Sequence, residues 1–209
     1  MDPYERFHQL LRRDLSPLLR ADGFKGSGTT FRRLTGDRID AVNIQGSRYG
    51  GSCCVNTAVH FFFLPTASGG SVDTKRIKEY ECAFRTRLHE QSADHWWTYG
   101  ESGGQAEAGI ARLVEMYNRR GRAFFGQFEP FPDAFESITP AQLEAGDFSK
   151  MPGQMTIVLA SLTMARILDH LGRRTRRQEF AEVGLRHLGG AARLKPELER
   201  LRSTDRGPT

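Results

Sequence analysis

The strongest constraint on the fold of this chain is the segment of residues 41–63, AVNIQGSRYGGSCCVNTAVHFFF, which is typical of two strands joined by a Gly-rich turn. Successive side chains of a strand point to opposite faces of a sheet. In both strands one face therefore carries polar side chains, while the other carries mainly valine, isoleucine and phenylalanine. The polar residues are Asn43, Gln45, Ser47, Asn56 and His60. The segment predicts an antiparallel hairpin with one apolar and one polar face.

Further segments extend this pattern on either side. Residues 29–47 alternate around a Gly-Asp turn, which predicts a hairpin that adds one more strand. Residues 80–90 are predicted to form a fourth strand or an irregular extended segment, in which Arg85 and Arg87 alternate with Phe84 and Leu88. Residues 95–100, HWWTYG, are typical of a short strand or an aromatic plug. If these strands are neighbours, the two arginines join the polar face.

Helical patterns flank the strands. Apolar residues recur at helical spacing over residues 3–21, with Pro17 inside the pattern and Gly23 as the expected stop. A second helix is expected from Ser102, because Ser102 and Gln105 fit a capping box. We therefore predict an α+β fold: an antiparallel sheet of about four strands with helices packed on one face, plus a C-terminal helical appendage.

The chain is predicted to have three parts. Residues 1–128 form the α+β domain, residues 129–153 a connection that contains four prolines, and residues 154–209 a helical extension. Within the connection, Thr139, Pro140 and Gln142 predict one short capped helix. Residues 154–171 are nearly apolar on all sides, so this helix should be buried, either against the main domain or against a second copy of the chain. The second alternative would give a homodimer.

The net charge of +5 is concentrated near the C-terminus. Residues 173–209 contain ten Lys and Arg against five Asp and Glu, so the rest of the chain is neutral. Arg173, Arg174, Arg176 and Arg177 are the candidates for contacts with the phosphates of a nucleic acid. The alternative is the solvated face of a helix, which is the commoner origin of such a charge run.

The three cysteines, Cys53, Cys54 and Cys82, indicate neither a disulfide framework nor a metal site, because their number is odd and no metal-ligand spacing occurs. We expect reduced, buried thiols in a cytoplasmic protein without cofactors. The N-terminal residues carry charges throughout and lack the apolar core of a signal peptide. The longest weakly charged run, MTIVLASLTMA, is about half as long as a membrane span. The sequence therefore predicts a soluble protein with no membrane partner.

Five short motifs, in this order, resemble a bacterial family of unknown function, domain-of-unknown-function family 4304. The motifs are LLRRDLSPLLRADGFKGSGTTFRR, VNIQGS, VNTAVHF, CAFRTRL and HWW, and together they cover about residues 5–128. The resemblance implies a shared fold but no catalytic residues, since the family has no established activity. Gly46 stands where the family usually has lysine, which removes one positive group from that strand. The helical C-terminal extension lies outside the resemblance.

Enzyme signatures are missing from the sequence, which contains no nucleophile elbow, P-loop, dinucleotide-binding motif or zinc-protease motif. The leading hypothesis is a non-enzymatic binding or accessory protein, with an immunity-type role as one form, that contacts a protein partner or an anionic ligand. Arginine forks suit carboxylates and phosphates, and an exposed tryptophan suits a binding hot spot. The candidate ligand-binding residues are Arg85, Arg87, Gln45, Asn43, Asn56, His60 and Trp97.

Two other functions stay open at this point. One is association with nucleic acid through the basic C-terminal helices. The other is an enzyme that acts on an anionic substrate, with Arg85 and Arg87 as clamps and His60 as acid or base. A closed pocket with perturbed titratable groups would favour the enzyme, whereas a shallow polar or aromatic surface would favour the binding protein. The polar face also has a plain interpretation, because antiparallel sheets commonly leave one face in water.

Overall fold

The computed structural model of this protein describes residues 2–67, 69–90, 95–100 and 103–203. The chain divides into two compact units, Met1–Gln127 and Phe128–Thr209. The first unit contains the strands, and the second unit is helical. None of the described helices is long and apolar enough to cross a membrane.

The first unit is built on an antiparallel sheet, which confirms the predicted fold class. Its described strands are β1 (Lys25–Ser27), β2 (Thr30–Thr35), β3 (Arg38–Gly46), β4 (Ser52–Phe61), β5 (Phe84–Arg87) and β6 (Trp97–Thr98). The order across the sheet is β1-β2-β3-β4-β5, and β6 pairs with the first residues of β4. The sequence predicts about four strands. The strands β1 and β6 bring the described number to six, and with three and two residues they are too short for alternation to identify.

Glycines close both hairpins at the positions that the sequence indicates. Gly36 in the β2–β3 turn has φ +56°, and Gly50 and Gly51 in the β3–β4 turn have φ +76° and +67°. This left-handed region favours glycine, because a Cβ atom is strained there. The resulting register sets Asn43 opposite Asn56. Both amides therefore lie on the same face of the sheet, as the alternation predicts.

Two long helical segments of the first unit each contain a π-helical turn. The first segment comprises α1 (Pro3–Leu10), a π turn (Leu11–Leu15) and α2 (Ser16–Ala21); the second comprises α3 (Gly103–Met116), a π turn (Tyr117–Gly121) and α4 (Arg122–Gly126). Pro17 explains the first π turn, because it has no backbone N–H to continue the α-helical pattern. The Ser16 hydroxyl donates to the Leu11 carbonyl oxygen at 3.0 Å. The expected cap Ser102 lies outside the described residues.

The helices cover one face of the sheet. The buried strand residues of this face are Phe31, Val42, Ile44, Val55, Val59, Phe61 and Phe84. The helices add the buried side chains of Phe7, Leu11, Leu15, Leu113 and Tyr117. This pattern confirms the predicted strand phase, because a shift by one residue would turn the polar residues inward. Leu18, one of the apolar residues of the helical pattern over residues 3–21, is half-buried.

The helix-covered face also holds a buried charge cluster that the sequence pattern does not reveal. Asp40 is fully buried, and its Oδ2 accepts hydrogen bonds from Arg33 at 2.7 Å and 3.1 Å. Its Oδ1 accepts a hydrogen bond from Arg38 at 3.0 Å. Arg33 also donates to the carbonyl oxygen of Asp22 at 2.8 Å, and the Asp22 carboxylate pairs with Arg122 at 2.8 Å. The cluster therefore ties strands β2 and β3 to the ends of the helical segments.

The second unit consists of helices, as predicted for the C-terminal extension. They are α5 (Asp133–Glu136), α6 (Pro140–Glu144), α7 (Ile157–His170), α8 (Arg174–Arg186) and α9 (Lys195–Arg202). Residues 129–153 are more than a connection, because they supply α5 and α6, and α6 packs on α7 and α8. Phe135, Ile138 and Leu143 from this stretch are buried. Thr139 and Gln142 form the predicted capping box of α6.

The apolar helix α7 lies at the centre of the second unit. It packs against α6, α8 and α9, and nearly all of its apolar side chains are buried. Leu159 is an exception with 44 % exposure. The same chain therefore buries this apolar helix. Its apolar surface no longer argues for a homodimer through α7. The following helix begins at Arg174, with Arg173 at its N-cap.

Candidate binding face of the sheet

The face opposite the helices, here called the polar face, is defined by the register of β1 to β5. Residues directly opposite each other on paired strands lie on the same face. Its strand residues are Lys25, Ser27, Thr30, Arg32, Leu34, Ile39, Ala41, Asn43, Gln45, Cys54, Asn56, Ala58, His60, Arg85 and Arg87. Asn43, Asn56 and Arg87 form one row across the sheet, and Ala41, Ala58 and Arg85 form the next. The polar face thus brings together all the predicted ligand-binding residues except Trp97.

The strands give the polar face cations but no acid. The cations are Lys25, Arg32, Arg85 and Arg87. The only Asp or Glu within the described strands is Asp40, which lies on the helix-covered face. A surface that carries charges of one sign concentrates groups of the opposite sign. The polar face is therefore suited to anionic groups.

Part of the polar face is covered by the connection between β4 and β5, residues 62–83, here called the strap. Strap and sheet share a buried cluster of Ile39, Ala41, Ala58, Ile77 and Cys82. Arg32 Nε donates a hydrogen bond to the Ile77 carbonyl oxygen at 2.8 Å, which fastens the strap across β2. The covered part of the face is thus a second small core, and the remaining part, towards the β3–β4 turn, is more open.

His60 belongs to the covered part and is fully buried. Its Nδ1 accepts the backbone N–H of Ala83 at 3.0 Å, and its Nε2 lies 3.0 Å from the carbonyl oxygen of Leu64. An accepting Nδ1 leaves the proton on Nε2, so the neutral ring holds both ends of the strap. Burial lowers the pKa of His60. Since both ring nitrogens are engaged, this histidine has no free atom for a ligand or for proton transfer.

The amides of the polar face are engaged with neighbouring strands to different degrees. Asn43 Nδ2 donates to Thr30 Oγ1 at 3.1 Å, and Asn56 Nδ2 donates to Gln45 Oε1 at 3.3 Å. Asn56 is buried, whereas Gln45 is exposed. The Nε2 atom of Gln45 makes no hydrogen bond to any described residue. The two asparagines therefore join strands, and the glutamine presents its amide nitrogen outwards.

The structure corrects the prediction that Trp97 is a ligand-binding residue. Trp97 pairs with Cys53, whose side chain lies on the helix-covered face, and is only 2 % exposed. Its neighbour Trp96 is 38 % exposed, and the Arg87 guanidinium lies 5.3 Å from the centroid of its ring. Alternation predicts that one of the two tryptophans is exposed, but a strand of two residues does not fix which one. Trp96 is therefore the tryptophan available to a partner.

An open cavity of about 470 Å³ lies where the β3–β4 turn meets Trp96. Its lining consists of Gln45, Gly46, Ser47, Arg48, Tyr49, Ser52 and Trp96. Arg48 donates to the Tyr49 hydroxyl and lies 4.6 Å from the centroid of that ring. Tyr49 itself is 82 % exposed. Tryptophan, tyrosine and arginine are the residues enriched in the hot spots of protein interfaces.

The two predicted arginines of β5 differ in their surroundings. Arg85 is exposed and makes no hydrogen bond or ion pair with the described residues. Arg87 is half-buried and packs against Trp96. A guanidinium that no protein carboxylate occupies keeps its two parallel N–H donors available. Of the two, Arg85 is the arginine positioned to meet a ligand from solvent.

One further residue at this face, Glu79, was missed by the sequence reasoning. It begins the 3₁₀ turn Glu79–Glu81 of the strap, which packs over β3 and β4. Glu79 is only 7 % exposed, and its carboxylate makes no hydrogen bond or ion pair with the described residues. Glu79 directly precedes the segment YECAFRTRLHE, residues 80–90, and belongs to none of the predicted elements, so no sequence pattern indicated that it turns inwards.

The cysteines do not provide a reactive group. All three are free and buried, and burial raises the pKa of both Cys53 and Cys82 to about 12. Burial also raises the pKa of Cys54. A thiol with a raised pKa is a poor nucleophile and a poor metal ligand. Among the described residues, no group of three or more His, Cys, Asp and Glu is arranged to hold a metal ion.

The arginines proposed for nucleic-acid contacts are mostly engaged within the second unit. Arg173 Nε binds Glu136 at 2.9 Å, and Arg176 Nη2 donates to the Ile138 carbonyl oxygen at 2.6 Å. Arg177 is buried and binds Asp169 at 2.8 Å. Arg174 is exposed and makes no such contact with the described residues. The four residues therefore do not form one open row of cations.

The comparisons with known proteins bear on the first unit. The family model DUF4304, a domain of unknown function, matches residues 15–125, which is more than half of the 209-residue chain. The chain therefore belongs to this family, which confirms the resemblance seen in the sequence. No curated protein and no solved structure matches the chain. The family has no assigned activity, so the function has to be inferred from the geometry of the polar face.

Proposed function

We propose that this member of the DUF4304 family is a non-enzymatic binding protein that recognises an acidic segment of a protein partner on its polar face. The observation that carries the proposal is the charge of that face, which has four strand cations and no strand acid within the described strands. Opposite charges steer two proteins together and select against wrong partners. The carboxylates of the partner are the groups that these cations attract.

Arg85 is the primary contact in this proposal. It is exposed, it has no ion pair with the described residues, and it lies on the same strand face as Arg87, two residues along β5. Positions two apart on a strand are separated by roughly 7 Å, which matches neighbouring carboxylates on an extended acidic segment. A planar guanidinium binds a carboxylate through two parallel hydrogen bonds. The polar face thus offers an exposed forked donor on strand β5.

The aromatic residues favour a protein partner over a small ligand. Trp96 and Tyr49 are both exposed, and both line the open cavity next to the β3–β4 turn. Small ligands are usually enclosed on most sides, whereas exposed Trp, Tyr and Arg side chains are typical anchors of protein interfaces. We assign Trp96 the role of apolar anchor, because it packs against Arg87, which lies two residues along β5 from the electrostatic contact at Arg85.

The two alternatives have weaker support. The enzyme alternative needs His60 as an acid or base, and both nitrogens of that ring are engaged inside the protein. The nucleic-acid alternative needs a row of available arginines, and Arg173, Arg176 and Arg177 bind groups within the second unit.

The proposal also includes a cellular role and location. The protein would be a cytoplasmic accessory protein of a bacterial cell, and an immunity-type protein is one form of such a protein. Three buried and unpaired cysteines suit such a reducing compartment.

The test measures binding of an oligoglutamate peptide to the full chain at low salt, by calorimetry and by the change in tryptophan emission. Oligolysine and a single-stranded oligonucleotide serve as comparison ligands. We expect oligoglutamate to bind, and Arg85→Ala to weaken its binding about two- to fivefold, because an exposed ion pair contributes up to about 1 kcal/mol. Arg112→Ala is the matched control, since Arg112 is an exposed arginine of α3 that makes no hydrogen bond or ion pair with the described residues.

Three outcomes would overturn the proposal. The first is that oligoglutamate does not bind to the wild-type chain. The second is that Arg112→Ala weakens binding as much as Arg85→Ala does, because the effect would then reflect net charge alone. The third is that the oligonucleotide binds more tightly than oligoglutamate and loses affinity on Arg174→Ala, which would favour the nucleic-acid alternative.

A further inference from the structure

Strand β5 ends the sheet on one side. It pairs with β4, and no other described strand pairs with its outer side. A strand at the edge of a sheet presents backbone N–H and C=O groups that can bond with a further extended chain. The direction of these groups along β5 therefore determines what the edge offers to a partner.

The register shows which backbone groups of β5 point outwards. Opposite residues of an antiparallel pair alternate between those that exchange hydrogen bonds and those that do not. The N–H of Leu88, one residue beyond β5, donates to the Val55 carbonyl oxygen at 2.8 Å. Phe84 and Thr86 have the same parity as Leu88, so they also bond with β4. The alternate residue Arg85 therefore directs its N–H and C=O away from β4.

Arg85 combines these backbone groups with an available side chain. Neither its N–H nor its C=O bonds to a described residue outside the sheet. The residue is exposed, and its side chain lies on the polar face in the row of Ala41 and Ala58. One residue thus offers a backbone donor, a backbone acceptor and a forked guanidinium to the same approaching segment.

The charge of β5 decides which kind of strand suits its outer side. A second copy of β5 would set arginine opposite arginine, because Arg85 and Arg87 are the residues whose parity directs the backbone outwards. Like charges directly opposite each other destabilise a pair of strands, and opposite charges stabilise it. A segment with an acid at every second position sets one carboxylate opposite Arg85 and the next in the row of Asn56 and Arg87. The edge therefore disfavours self-pairing and favours an acidic strand.

We propose that the acidic segment of the partner binds as an added β-strand along the outer side of β5. The inference rests on the proposed function, because it assigns a backbone geometry to the same acidic segment. Main-chain hydrogen bonds to β5 contribute affinity for any extended segment, and the alternate acids select the segment of the right charge.

The experiment uses a peptide of four Glu-Thr repeats and the full chain at low salt, with calorimetry as the measurement. Two further peptides carry N-methyl groups on the backbone nitrogens of the glutamates or of the threonines. In an antiparallel added strand, a glutamate opposite Arg85 directs its own N–H towards β5. Methylated glutamates should therefore lower the affinity at least about tenfold, since two or more hydrogen bonds are lost. Methylated threonines should leave it within about twofold, because their N–H groups point to solvent.

The direction of the added strand sets which methylated peptide loses affinity. In a parallel added strand the two peptides exchange their effects. In both directions only one set of alternate nitrogens faces β5. An equal effect of the two methylated peptides would therefore overturn the inference.

A pair of substitutions tests the same geometry on the protein. Arg85→Ala removes the guanidinium, whereas Arg85→Pro removes the guanidinium and the outward N–H. Proline is tolerated on an edge strand where the N–H does not bond within the sheet. We expect folded Arg85→Pro to bind the unmethylated peptide at least about threefold more weakly than Arg85→Ala, because one more hydrogen bond is lost. Equal affinities of the two folded variants would contradict the added strand, and thermal melts verify that both variants fold.

The same measurements separate this inference from the proposed function. If Arg85→Ala weakens binding while both methylated peptides bind like the unmethylated one, the polar face binds acids through side chains alone. The proposed function then stands and the added strand falls. If neither oligoglutamate nor the Glu-Thr peptide binds to the wild-type chain, both fall. If Arg85→Pro does not fold, the two methylated peptides decide the question on the wild-type chain.

Discussion

The two faces of the sheet differ in whether their charged side chains are paired. On the helix-covered face, Asp40 has no solvent exposure and is bonded by Arg33 and Arg38. On the polar face, Arg85 is exposed without a described partner, and Glu79 is buried without one. The sheet therefore carries a satisfied ion cluster on one face and, on the other face, an exposed arginine that pairs with no described residue.

This difference separates stability from binding. A buried ion cluster with complete hydrogen bonding is costly to break, because each remaining partner becomes an uncompensated buried charge. Uncompensated charges near a surface contribute little to folding and remain available to a ligand. We expect substitutions on the helix-covered face to change the free energy of unfolding, and substitutions on the polar face to change affinity.

The largest expected effect is that of Asp40→Asn. The substitution keeps the shape of the side chain but leaves the charges of Arg33 and Arg38 uncompensated, which should lower the free energy of unfolding by about 3–5 kcal/mol. Chemical denaturation at neutral pH measures the change. Glu79→Gln is the control, because it also neutralises a buried acid but breaks no ion pair, and it should not destabilise the protein. A loss below about 1 kcal/mol for Asp40→Asn would mean that the two faces do not differ in this way.

A smaller effect is expected from pH, through His60. Burial lowers the pKa of this histidine in the folded state, so the folded protein favours the neutral ring. The unfolded chain protonates the same ring near pH 6.5. The stability that the neutral ring contributes is therefore complete above that pH and is lost as the pH falls below it, by at most about 1.4 kcal/mol per pH unit for one proton.

Denaturation curves between pH 7 and pH 5 check this dependence, because the titration of the carboxylates falls mostly below that window. The free energy of unfolding should decrease across it in the wild type and much less in His60→Gln. His8→Gln is the comparison, since burial lowers the pKa of His8 as well, but His8 is only partly buried. If His8→Gln removes the dependence of the free energy of unfolding on pH and His60→Gln does not, His60 does not fasten the strap as we interpret it.

Alternation predicted the arrangement of the faces well, because it depends only on strand parity. Asn43, Asn56, Arg85 and Arg87 share one face as expected, and Phe61 is buried on the other. The fold class followed from the same pattern. The family membership followed from the motifs and covers the same region.

What alternation could not predict depends on contacts between segments that are distant in sequence. His60 has the parity of the polar face, but the strap covers it with residues from beyond the strand, at Leu64 and Ala83. Glu79 is buried by the same fold of the strap. Residues 129–153 were predicted to be a connection because of their prolines, although Phe135 and Leu143 within them are buried core residues of the second unit.

The adjacent tryptophans give a prediction that spans both faces. Trp97→Phe should lower the free energy of unfolding by about 1 kcal/mol or more, because a smaller ring leaves unfilled space in the core. Trp96→Phe should change it by less than about 0.5 kcal/mol, as is usual at the surface. These are the only two tryptophans of the chain, so each variant also isolates the emission of the other. Trp96 should emit at longer wavelength than Trp97, and its emission should change when oligoglutamate binds. If Trp97 behaves in this way instead, our assignment of Trp96 as the exposed tryptophan is wrong.

The smallest expected effect on stability is that of Arg85→Ala. This arginine makes no hydrogen bond or ion pair with the described residues, so its removal should shift the free energy of unfolding by less than about 0.5 kcal/mol. Arg33→Ala is the matched substitution on the other face and should cost several times more, because Arg33 binds both Asp40 and the end of α2. Thermal melts of the two variants, measured beside their affinity for oligoglutamate, test both halves of the comparison at once. A drop in the melting temperature of Arg85→Ala without any loss of affinity would mean that Arg85 supports the sheet, and the polar face would then have no arginine assigned to binding by its exposure.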